Sequence, residues 1–390
     1  MKNNLNLLLI EKIYEILLRE ILSRDISIDA EKLSNLSLNI LEYLAINRNL
    51  QPSSFLLKKL ELGLKVEDKR LNQQIFNCYF PNPIGLAAGF DKNAIAAGIW
   101  DKFGFGFAEL GTITWHPQEG NPKPRLFRLA KEQAALNRMG FNNLGANQIK
   151  KNLNKQGFRK EGCYPITIGL NFGKSKITNL NEAANDYALS IELLSSLADY
   201  AVINVSSPNT PGLRELQGRS ELIKLIERIL KIPGCPPLFI KIAPDLSELE
   251  LDLISDVALE HNLAGIIAVN TSINRLGLEK RIILQTGLAL EEEEGGLSGS
   301  PLCERALQVM RRLKVKSKNQ LHLIGVGGIN SPQSAWERIT AGASLIQIYT
   351  GWIFQGPTLV PRILDGLVRQ IEKHGFKDIS EAIGSEAPWK

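Results

Sequence analysis

Polar side chains of a few kinds are concentrated in short segments that each follow a run of apolar residues. In chain order these segments read AAGFDKN (87–93), ELGTIT (109–114), LNFGKS (170–175), NVSSPNT (204–210), KIAPDL (241–246), VNTS (269–272), GVGGI (325–329) and IYTG (348–351). They contain no histidine, and their most obvious carboxylates are Asp91 and Asp245. A glycosidase needs two carboxylates at its centre, and a metal hydrolase needs histidines. The segments instead predict a site for a large, planar, phosphate-bearing molecule held by amides and hydroxyls.

Two of these segments are typical of phosphate binding. Gly327 and Gly328 follow one apolar run, and Tyr349, Thr350 and Gly351 follow the next. Exposed glycine amides and a helix N-terminus are good ligands for an anion. A tight turn would explain either pattern alone, but their occurrence in two successive segments favours a phosphate site.

Lys241 ends a further apolar run, where a lysine is costly unless it meets an anion or an electron-rich group. A flavin meets that need, because a lysine near its N1 and C2 carbonyl stabilises the negative charge that grows on reduction. No metal centre is expected, since the four cysteines lie far apart and the four histidines form no ligand motif.

The segment NVSSPNT presents Asn204, Ser207 and Asn209 on one turn, whose geometry Pro208 restricts. Ser207 could be a hydrogen-bonding turn residue or a catalytic residue, and its chemistry alone leaves both open. A hydrolase triad is disfavoured, because no GxSxG elbow surrounds Ser207 and no histidine lies near it in the sequence. A second segment, NRMGFNN (137–143), carries asparagines that could bind a flat ligand through donors and acceptors.

Eight apolar runs are expected to form the strands that position these segments. They are Pro83–Ala88, Phe107–Thr112, Pro165–Asn171, Tyr200–Val205, Leu238–Ile242, Gly265–Asn270, Leu321–Val326 and Leu345–Tyr349. Helical or irregular stretches follow them, and Ser220–Lys231 is one with helical periodicity. The alternation predicts an α/β fold, a (β/α)8 TIM barrel with its site at the C-terminal ends of the strands. An open doubly wound sheet is the alternative, but no GxGxxG follows the first strand.

Residues 1–50 read as two amphipathic helices, the second starting after a possible cap at Asp29. The apolar face of the first comprises Leu5, Leu9, Ile10, Ile13, Ile16, Leu17 and Ile21, opposite Glu11, Lys12, Glu15 and Arg19; the second carries Leu33, Leu36, Ile40 and Leu44. Both helices could pack on the following domain, or their apolar face could lie in a membrane interface. The width of the first face, with Phe55, Leu56 and Leu57 downstream, favours the membrane.

Composition excludes other classes of protein. No apolar run approaches the roughly 20 residues that span a bilayer, and the N-terminus lacks the features of a secretory signal or transit peptide. We therefore expect the chain to stay on the synthesis side of a membrane, lying on it at most. A net charge of +5 is too small for a nucleic-acid-binding surface, so no nucleic acid is expected as a partner.

Together these segments resemble the dihydroorotate dehydrogenase family. AAGFDKN, NRMGFNN, NVSSPNT, KIAPDL, GGLSG, IGVGGI and QIYTG occur in the order and spacing of that family, from about residue 80 to residue 356. In the family, cytosolic members use a cysteine as base, whereas the membrane-bound, quinone-dependent class uses a serine and has an N-terminal helical extension. Ser207 and the helices of residues 1–50 resemble the quinone-dependent class (class 2).

The resemblance implies a binding site for FMN. The FMN contacts it implies are Ala88, Gly89, Phe90, Asp91, Lys92, Thr112, Asn171, Asn204, Lys241, Val269, Gly299, Gly328, Tyr349 and Thr350. The dihydroorotate and orotate contacts it implies are Lys92, Asn137, Arg138, Met139, Gly140, Phe141, Asn204, Asn209, Asn270 and Thr271. Lys92 would pair with the substrate carboxylate as a point charge.

The resemblance also implies a mechanism, the oxidation of (S)-dihydroorotate to orotate in pyrimidine (UMP) biosynthesis. Ser207 would take the proton from C5 while hydride leaves C6 for the flavin N5, and Ser207 would need a proton relay because a hydroxyl is a weak base. Electrons would pass to a membrane quinone that enters between the N-terminal helices, where Arg128 matches an arginine at the entrance. Two alternatives are a fumarate- or NAD-linked soluble enzyme and a non-catalytic flavin-binding membrane protein.

The domain bounds and the association with the membrane are further expectations. The domains are 1–55, a helical membrane and quinone-access domain; 56–375, the FMN-binding barrel; and 376–390, a C-terminal tail. The protein is expected to be a monomer bound peripherally to the cytoplasmic side of the cell membrane.

The chain departs from the family pattern at Val269, where threonine is frequent, in a longer loop at Leu278–Glu294, and in N-terminal helices that match poorly and lack a frequent histidine. The acidic run Glu291–Glu294 is expected to be a solvated loop.

Overall fold

Eight parallel strands close into a barrel in the computed structural model of the chain, which describes residues 7, 10–12, 14, 29–157 and 166–386. The barrel strands are β3 (Ile84–Leu86), β4 (Phe107–Ile113), β7 (Thr167–Phe172), β8 (Tyr200–Asn204), β9 (Leu238–Ile242), β10 (Gly265–Ala268), β12 (His322–Val326) and β13 (Leu345–Ile348). They are hydrogen-bonded in the order in which they follow one another in the chain, and β13 pairs with β3 to close the ring. The predicted (β/α)8 barrel is therefore confirmed.

Helices pack around the outside of the barrel. They are α3 (Ala146–Lys155), α4 (Ala183–Leu194), α5 (Arg219–Leu230), α6 (Glu248–Glu260), α7 (Cys303–Ser317), α8 (Pro332–Thr340) and α10 (Leu359–His374). The short helix α9 (Thr350–Gln355) lies instead at the end of the barrel where the strands finish. The helix predicted at Ser220–Lys231 is α5, which buries Leu222, Leu225 and Ile229 on one face. Because helices cover the outer face and side chains fill the inner face, the strands are buried on both sides and appear in the sequence as continuous apolar runs.

Aromatic side chains fill the end of the barrel at which the strands begin, because glycines on neighbouring strands leave space for them. A Cβ at Gly85 would lie 2.3 Å from the Phe107 ring, and one at Gly169 would lie 2.1 Å from the Tyr200 ring. Below them, a hairpin of β1 (Gln73–Ile75) and β2 (Cys78–Phe80) places Phe76 with its ring centroid 5.0 Å from that of Phe239. Among the described residues, this packing fills the end of the barrel at which the strands begin.

A small antiparallel sheet stands at the open end of the barrel. Its strands are β5 (Leu126–Leu129), β6 (Ala134–Asn137) and β11 (Gly296–Gly299), with β6 in the centre. One face buries Phe127, Leu136 and Leu297 under the loop that follows β10. The sheet therefore holds residues from two distant parts of the chain beside the mouth of the barrel.

Two N-terminal helices, α1 (Ala30–Ile46) and α2 (Ser53–Leu64), adjoin this sheet and the barrel. The predicted cap is confirmed, because the Asp29 side chain accepts hydrogen bonds from the backbone N–H groups of Glu31 and Lys32. Leu44 is buried, whereas Leu36 and Ile40 are 57% and 55% exposed, so much of the predicted stripe faces outward. Among the described residues, no helix is long and apolar enough to cross a membrane.

Most of the first predicted helix lies outside the described residues. Within the part that is described, Leu7 and Ile10 pack against the main core. At the other end of the chain, α11 (Ile379–Ala382) buries Ile379 and Ala382 within the segment 376–390. Helix α2 runs through residue 55, and the domain bounds remain a prediction.

Candidate active site

The C-terminal ends of the barrel strands surround a cavity of about 600 Å³. This volume is within the range of about 300–1,000 Å³ that small-molecule and cofactor sites occupy. The predicted site residues that line it are Ala88, Gly89, Phe90, Asp91, Lys92, Thr112, Arg128, Asn137, Met139, Gly140, Phe141, Asn204, Ser207, Asn209, Lys241, Val269, Asn270, Thr271, Gly299, Gly328, Tyr349 and Thr350. Asn171 and Arg138 are not among the lining residues.

Lys241 lies at the floor of the cavity in an ion pair with Glu109 of β4. Its Nζ is 3.2 Å from the Glu109 Oε1, and the two side chains are 5% and 0% exposed. The Glu109 carboxylate also accepts hydrogen bonds from Asn171 Nδ2 at 2.8 Å and from Gln347 Nε2 at 2.6 Å. A buried carboxylate with three donors is well stabilised, so the Lys241 ammonium is held in place by a fixed partner.

Glu109 and Gln347 are two residues that sequence reasoning missed. Glu109 interrupts the apolar run FAELGTI, and a charge inside a buried strand needs a partner within the fold. That interruption was a signal that could have identified the floor of the cavity.

Above the ion pair, amides and a hydroxyl form a connected layer. Thr112 Oγ1 donates to Asn171 Oδ1 at 2.7 Å, and Asn204 Nδ2 lies 3.1 Å from Thr112 Oγ1 and 3.2 Å from Asn171 Oδ1. Asn270 Nδ2 reaches Asn204 Oδ1 at 3.3 Å. Asn171 is thus placed under the wall rather than on it, where it orients Thr112 and Asn204 toward the cavity.

Lys92 stands on the wall contributed by the loop after β3. Its Nζ donates to Asn142 Oδ1 at 2.7 Å. Burial lowers the pKa of Lys92 to about 8, with a further contribution from the charge of Arg125, while Glu31 acts in the opposite direction. The cation is therefore poorly solvated, and an anion that enters the cavity would be an effective partner.

The neighbouring Asp91 carboxylate is turned into the protein. It accepts hydrogen bonds from the backbone N–H groups of Ile95 and Ala96, at 2.9 and 3.0 Å, and from Trp100 Nε1 at 3.4 Å. Burial raises the pKa of Asp91 to about 6, against the effect of these three donors. Asp91 therefore shapes the loop that carries Lys92.

Ser207 faces the cavity at the turn after β8 and is 5% exposed. Its Oγ accepts a hydrogen bond from the Asn209 backbone N–H at 3.2 Å. Asn209 Nδ2 in turn donates to the Asn137 carbonyl oxygen at 3.2 Å. Segments 204–210 and 137–143, which are far apart in the sequence, therefore form one wall.

Arg138 points away from this wall. Its guanidinium forms an ion pair with Glu293, donates to the Pro124 carbonyl oxygen at 2.9 Å, and lies 5.0 Å from the centroid of the Phe127 ring. The expectation of a solvated acidic run at Glu291–Glu294 is wrong for Glu293, whose side chain is 0% exposed. The buried Glu293 carboxylate is stabilised by its ion pair with Arg138 and by a hydrogen bond that the Thr286 hydroxyl donates to it.

Glycines give close backbone access to the cavity opposite this wall. Gly299 and Gly328 have φ angles of +96° and +74°, a region that favours glycine. A Cβ at Gly328 would lie 2.4 Å from the Cys303 Cα, so a side chain has no room there. Nearby, Ser298 and Thr350 bring their hydroxyl oxygens to 2.8 Å from each other. The surface combines backbone amides with two hydroxyls, the donors that suit a phosphate.

The cavity continues from the barrel mouth toward α1. There it is lined by Tyr14, Leu33, Ser37, Leu41, Arg128, Ile353, Phe354 and Pro357. The Tyr14 hydroxyl donates to the Ile353 carbonyl oxygen, so Tyr14 of the N-terminal segment contacts helix α9. This arm of the cavity has many apolar lining residues, and Arg128 and Glu31 are charged residues that line it.

Comparison with known proteins gives a consistent result. A family described as "Dihydroorotate dehydrogenase" matches residues 70–371. A protein of Prochlorococcus marinus (strain MIT 9313) named "Dihydroorotate dehydrogenase (quinone)" is 58% identical over 378 residues, which cover 97% of this chain and 96% of that protein. A protein of Nostoc punctiforme with the same name is 51% identical, with 86% of this chain and 89% of that protein covered.

Solved structures agree with these sequence relatives. The crystal structure of DHODH from Eimeria tenella in complex with ferulenol superposes with a TM-score of 0.78 at 36% identity, covering 91% of this chain and 96% of that one. The ligand-free form of the same protein superposes with a TM-score of 0.77. The similarity extends over both the barrel and most of the remaining chain.

Proposed function

The chain belongs to the dihydroorotate dehydrogenase family, and we propose that it oxidises (S)-dihydroorotate to orotate in the cavity above its barrel. The observation that carries this proposal is the arrangement of Ser207, Asn209 and Asn137 on one wall, with Lys92 also lining the cavity. Oxidation of this substrate requires a weak base that takes its proton, amides that bind its flat ring and a poorly solvated cation that binds its carboxylate.

FMN is the cofactor that we propose for the floor of the cavity. Lys241, Asn171, Thr112 and Asn204 offer charged and neutral donors in the buried layer, and the glycine surface with Thr350 offers donors for a phosphate. The residues present therefore fit a flavin that bears a phosphate. When bound, the flavin supplies the hydride acceptor of the reaction.

The wall of asparagines and Lys92 are the groups proposed to bind the substrate. We propose that the Lys92 ammonium pairs with the substrate carboxylate, releasing Asn142 from the contact it makes at 2.7 Å. Asn137, Asn209 and Asn270 would bind the donors and acceptors of the ring, because an amide side chain offers both. Arg138 supports this wall from behind through Glu293 and makes no direct contact with the cavity.

Ser207 is the residue proposed to accept the proton from C5 of the substrate. Its burial keeps bulk water from the hydroxyl, and the Asn209 N–H orients its oxygen. A serine hydroxyl is a weak base at its ordinary pKa, so Oγ must give its own hydroxyl proton to a relay of water and a neighbouring hydroxyl as it takes the proton from C5. The turn at Pro208 keeps Ser207 fixed while this happens.

A quinone is proposed as the final electron acceptor, entering through the apolar arm between α1 and the barrel. Leu33 and Leu41 offer apolar contacts there, and Arg128 offers a donor for a quinone oxygen. The curated relatives named as quinone enzymes support this acceptor over fumarate or NAD.

We also propose that the protein is a monomer that lies on the cytoplasmic side of the cell membrane through α1 and α2. Leu36, Ile40 and Phe55 are 57%, 55% and 58% exposed, which makes an apolar surface available to lipid. Flotation with anionic vesicles tests this surface: Leu36→Glu with Ile40→Glu should abolish flotation. Leu249→Glu, at a leucine on α6 that is 81% exposed, should leave flotation unchanged. Equal flotation of all three proteins would contradict the proposal.

Anaerobic stopped-flow absorbance tests the function itself. Dihydroorotate should bleach the flavin of the purified protein, and a quinone should restore the colour. An absence of bleaching would contradict the substrate. Faster restoration by fumarate or NAD than by any quinone would contradict the acceptor while leaving the substrate intact.

A further inference from the structure

Arg338 of helix α8 is a buried guanidinium directly behind the glycine turn of the cavity. The residue is 1% exposed. Its Nη1 donates to the Val326 carbonyl oxygen at 3.3 Å, and its Nη2 donates to the carbonyl oxygens of Cys303 and Gly327, each at 3.1 Å. All three acceptors are backbone groups at the end of β12 or the start of α7, and Val326 and Gly327 line the cavity.

The charge of Arg338 is not neutralised by a carboxylate in the part of the chain that the structure describes. The Cys303 side chain, through a hydrogen bond, and Glu337 and Glu304, as more distant charges, favour the charged form of Arg338, and its Nε has no hydrogen-bond partner among the described residues. Burial lowers the pKa of Arg338 to about 10, which reflects how poorly the cation is solvated. A cation buried without a counter-ion is unfavourable, so an anion nearby would stabilise the fold.

The hydrogen bonds of Arg338 also orient the turn. In a trans peptide the C=O and N–H point in opposite directions. Because the Gly327 carbonyl is bound to Arg338, the N–H of Gly328 points away from Arg338, on the side of the cavity that both glycines line. Arg338 therefore aligns backbone donors toward the surface that suits a phosphate.

We propose that Arg338 is the positioning residue of the cofactor phosphate: from behind the glycine turn it supplies the countercharge for the phosphate and holds the amides that bind it. The inference rests on the proposed binding of FMN. It assigns to Arg338 a task that depends on the phosphate and not on the flavin ring. A residue that merely ties α8 to β12 and α7 would affect every ligand of the cavity equally.

Comparison of FMN with riboflavin tests this directly, because riboflavin has the same ring and side chain but no phosphate. The full-length protein, stripped of flavin, is titrated with each ligand, and binding is followed by quenching of flavin fluorescence. Arg338→Met removes the charge at similar length and should weaken FMN binding by roughly 10- to 100-fold, about 1.4 kcal/mol for each tenfold. Riboflavin binding should change by less than about threefold, well below the tenfold step. Equal weakening of both ligands, or unchanged FMN binding, would overturn the proposal.

Arg305 provides a matched control. This arginine of α7 also donates to two backbone carbonyls, those of Pro244 and Leu246, which do not line the cavity. Arg305→Met should change the FMN and riboflavin affinities by the same factor. A selective loss of FMN in this variant would also contradict the assignment to Arg338.

Arg338→Lys covers the case in which Arg338→Met does not fold. Lysine keeps the charge but cannot bind three carbonyls with a planar fork of donors. We therefore expect FMN binding to weaken more than riboflavin binding, but by less than a neutral side chain would cause. Equal losses for FMN and riboflavin in Arg338→Lys would overturn the proposal. If the unaltered protein itself binds both ligands with one affinity, the phosphate site of the proposed function is wrong, and the role of Arg338 falls with it.

Discussion

The carboxylate of Glu31, in the first turn of α1, accepts two hydrogen bonds from the guanidinium of Arg125, at 2.6 and 2.9 Å. Both side chains are 6% exposed. Arg125 also donates to the carbonyl oxygens of Glu119 and Asn121, and the Asn121 side chain donates to those of Arg138 and Asn209. The buried Glu31–Arg125 ion pair thus connects the N-terminal helix to the loops that form the proposed substrate wall.

Glu31→Gln should loosen α1 from the barrel, because it leaves the buried Arg125 without its counter-ion. Breaking one partner of a buried pair costs up to about 3–5 kcal/mol, and the apparent KM for the quinone should rise with it. Urea unfolding and steady-state kinetics measure the two effects. Lys123→Ala is the control, because Lys123 also lies within 3.5 Å of Glu31 but is 58% exposed, and an exposed ion pair contributes little. Similar losses in the two variants would contradict this account.

The pH dependence of substrate binding should report the ionisation of Lys92. Burial lowers the pKa of Lys92 to about 8, so the ammonium is charged below pH 8 and neutral above it. The kcat/KM for dihydroorotate should therefore decline above pH about 8, approaching tenfold per pH unit, because only the cation pairs with the carboxylate. In Lys92→Met the kcat/KM for dihydroorotate should be low at every pH, and its decline above pH about 8 should be absent. Its persistence would assign the ionisation to another group.

Ser207→Ala should slow reduction of the flavin by roughly 10²- to 10⁴-fold, the usual contribution of a positioned base. Single-turnover stopped flow isolates this step from quinone reduction. Ser206→Ala is a suitable comparison, because the Ser206 hydroxyl donates to Asn204 Oδ1 and belongs to the supporting layer. Ser206→Ala should slow reduction of the flavin less than Ser207→Ala does. A loss under about threefold in Ser207→Ala would place the base elsewhere.

Glu293→Gln should release the loop that crosses the outer face of the small sheet. The side chain of Glu293 is 0% exposed and holds Arg138, so the neutral amide leaves Arg138 without its countercharge. Limited proteolysis within residues 276–292 should become faster, and the KM for dihydroorotate should rise because Arg138 belongs to the segment of the substrate wall. Glu294→Gln, at an exposed position of the same run, should change neither. Equal proteolysis of both variants would show that Glu293 does not anchor the loop.

Local patterns in the sequence determined the architecture of the barrel. A strand buried on both faces appears as a continuous apolar run, and a parallel barrel places the residue after each run at one common end. Ser207, Lys241 and the glycines at 327–328 could therefore be assigned to one cavity before any distance was known. Asp29 could be recognised as a helix cap because capping depends on neighbours two and three residues away.

Only the tertiary structure decided which charges meet. Glu109 and Lys241 are 132 residues apart, Arg138 and Glu293 are 155 apart, and Glu31 and Arg125 are 94 apart. The direction of a long side chain is set by which carbonyl or carboxylate the folded chain brings near it, and no periodicity encodes that. Arg138 therefore turned away from the cavity to which its motif had assigned it. Arg338, in an ordinary amphipathic helix, became the guanidinium behind the glycine turn because β12 and α7 converge there.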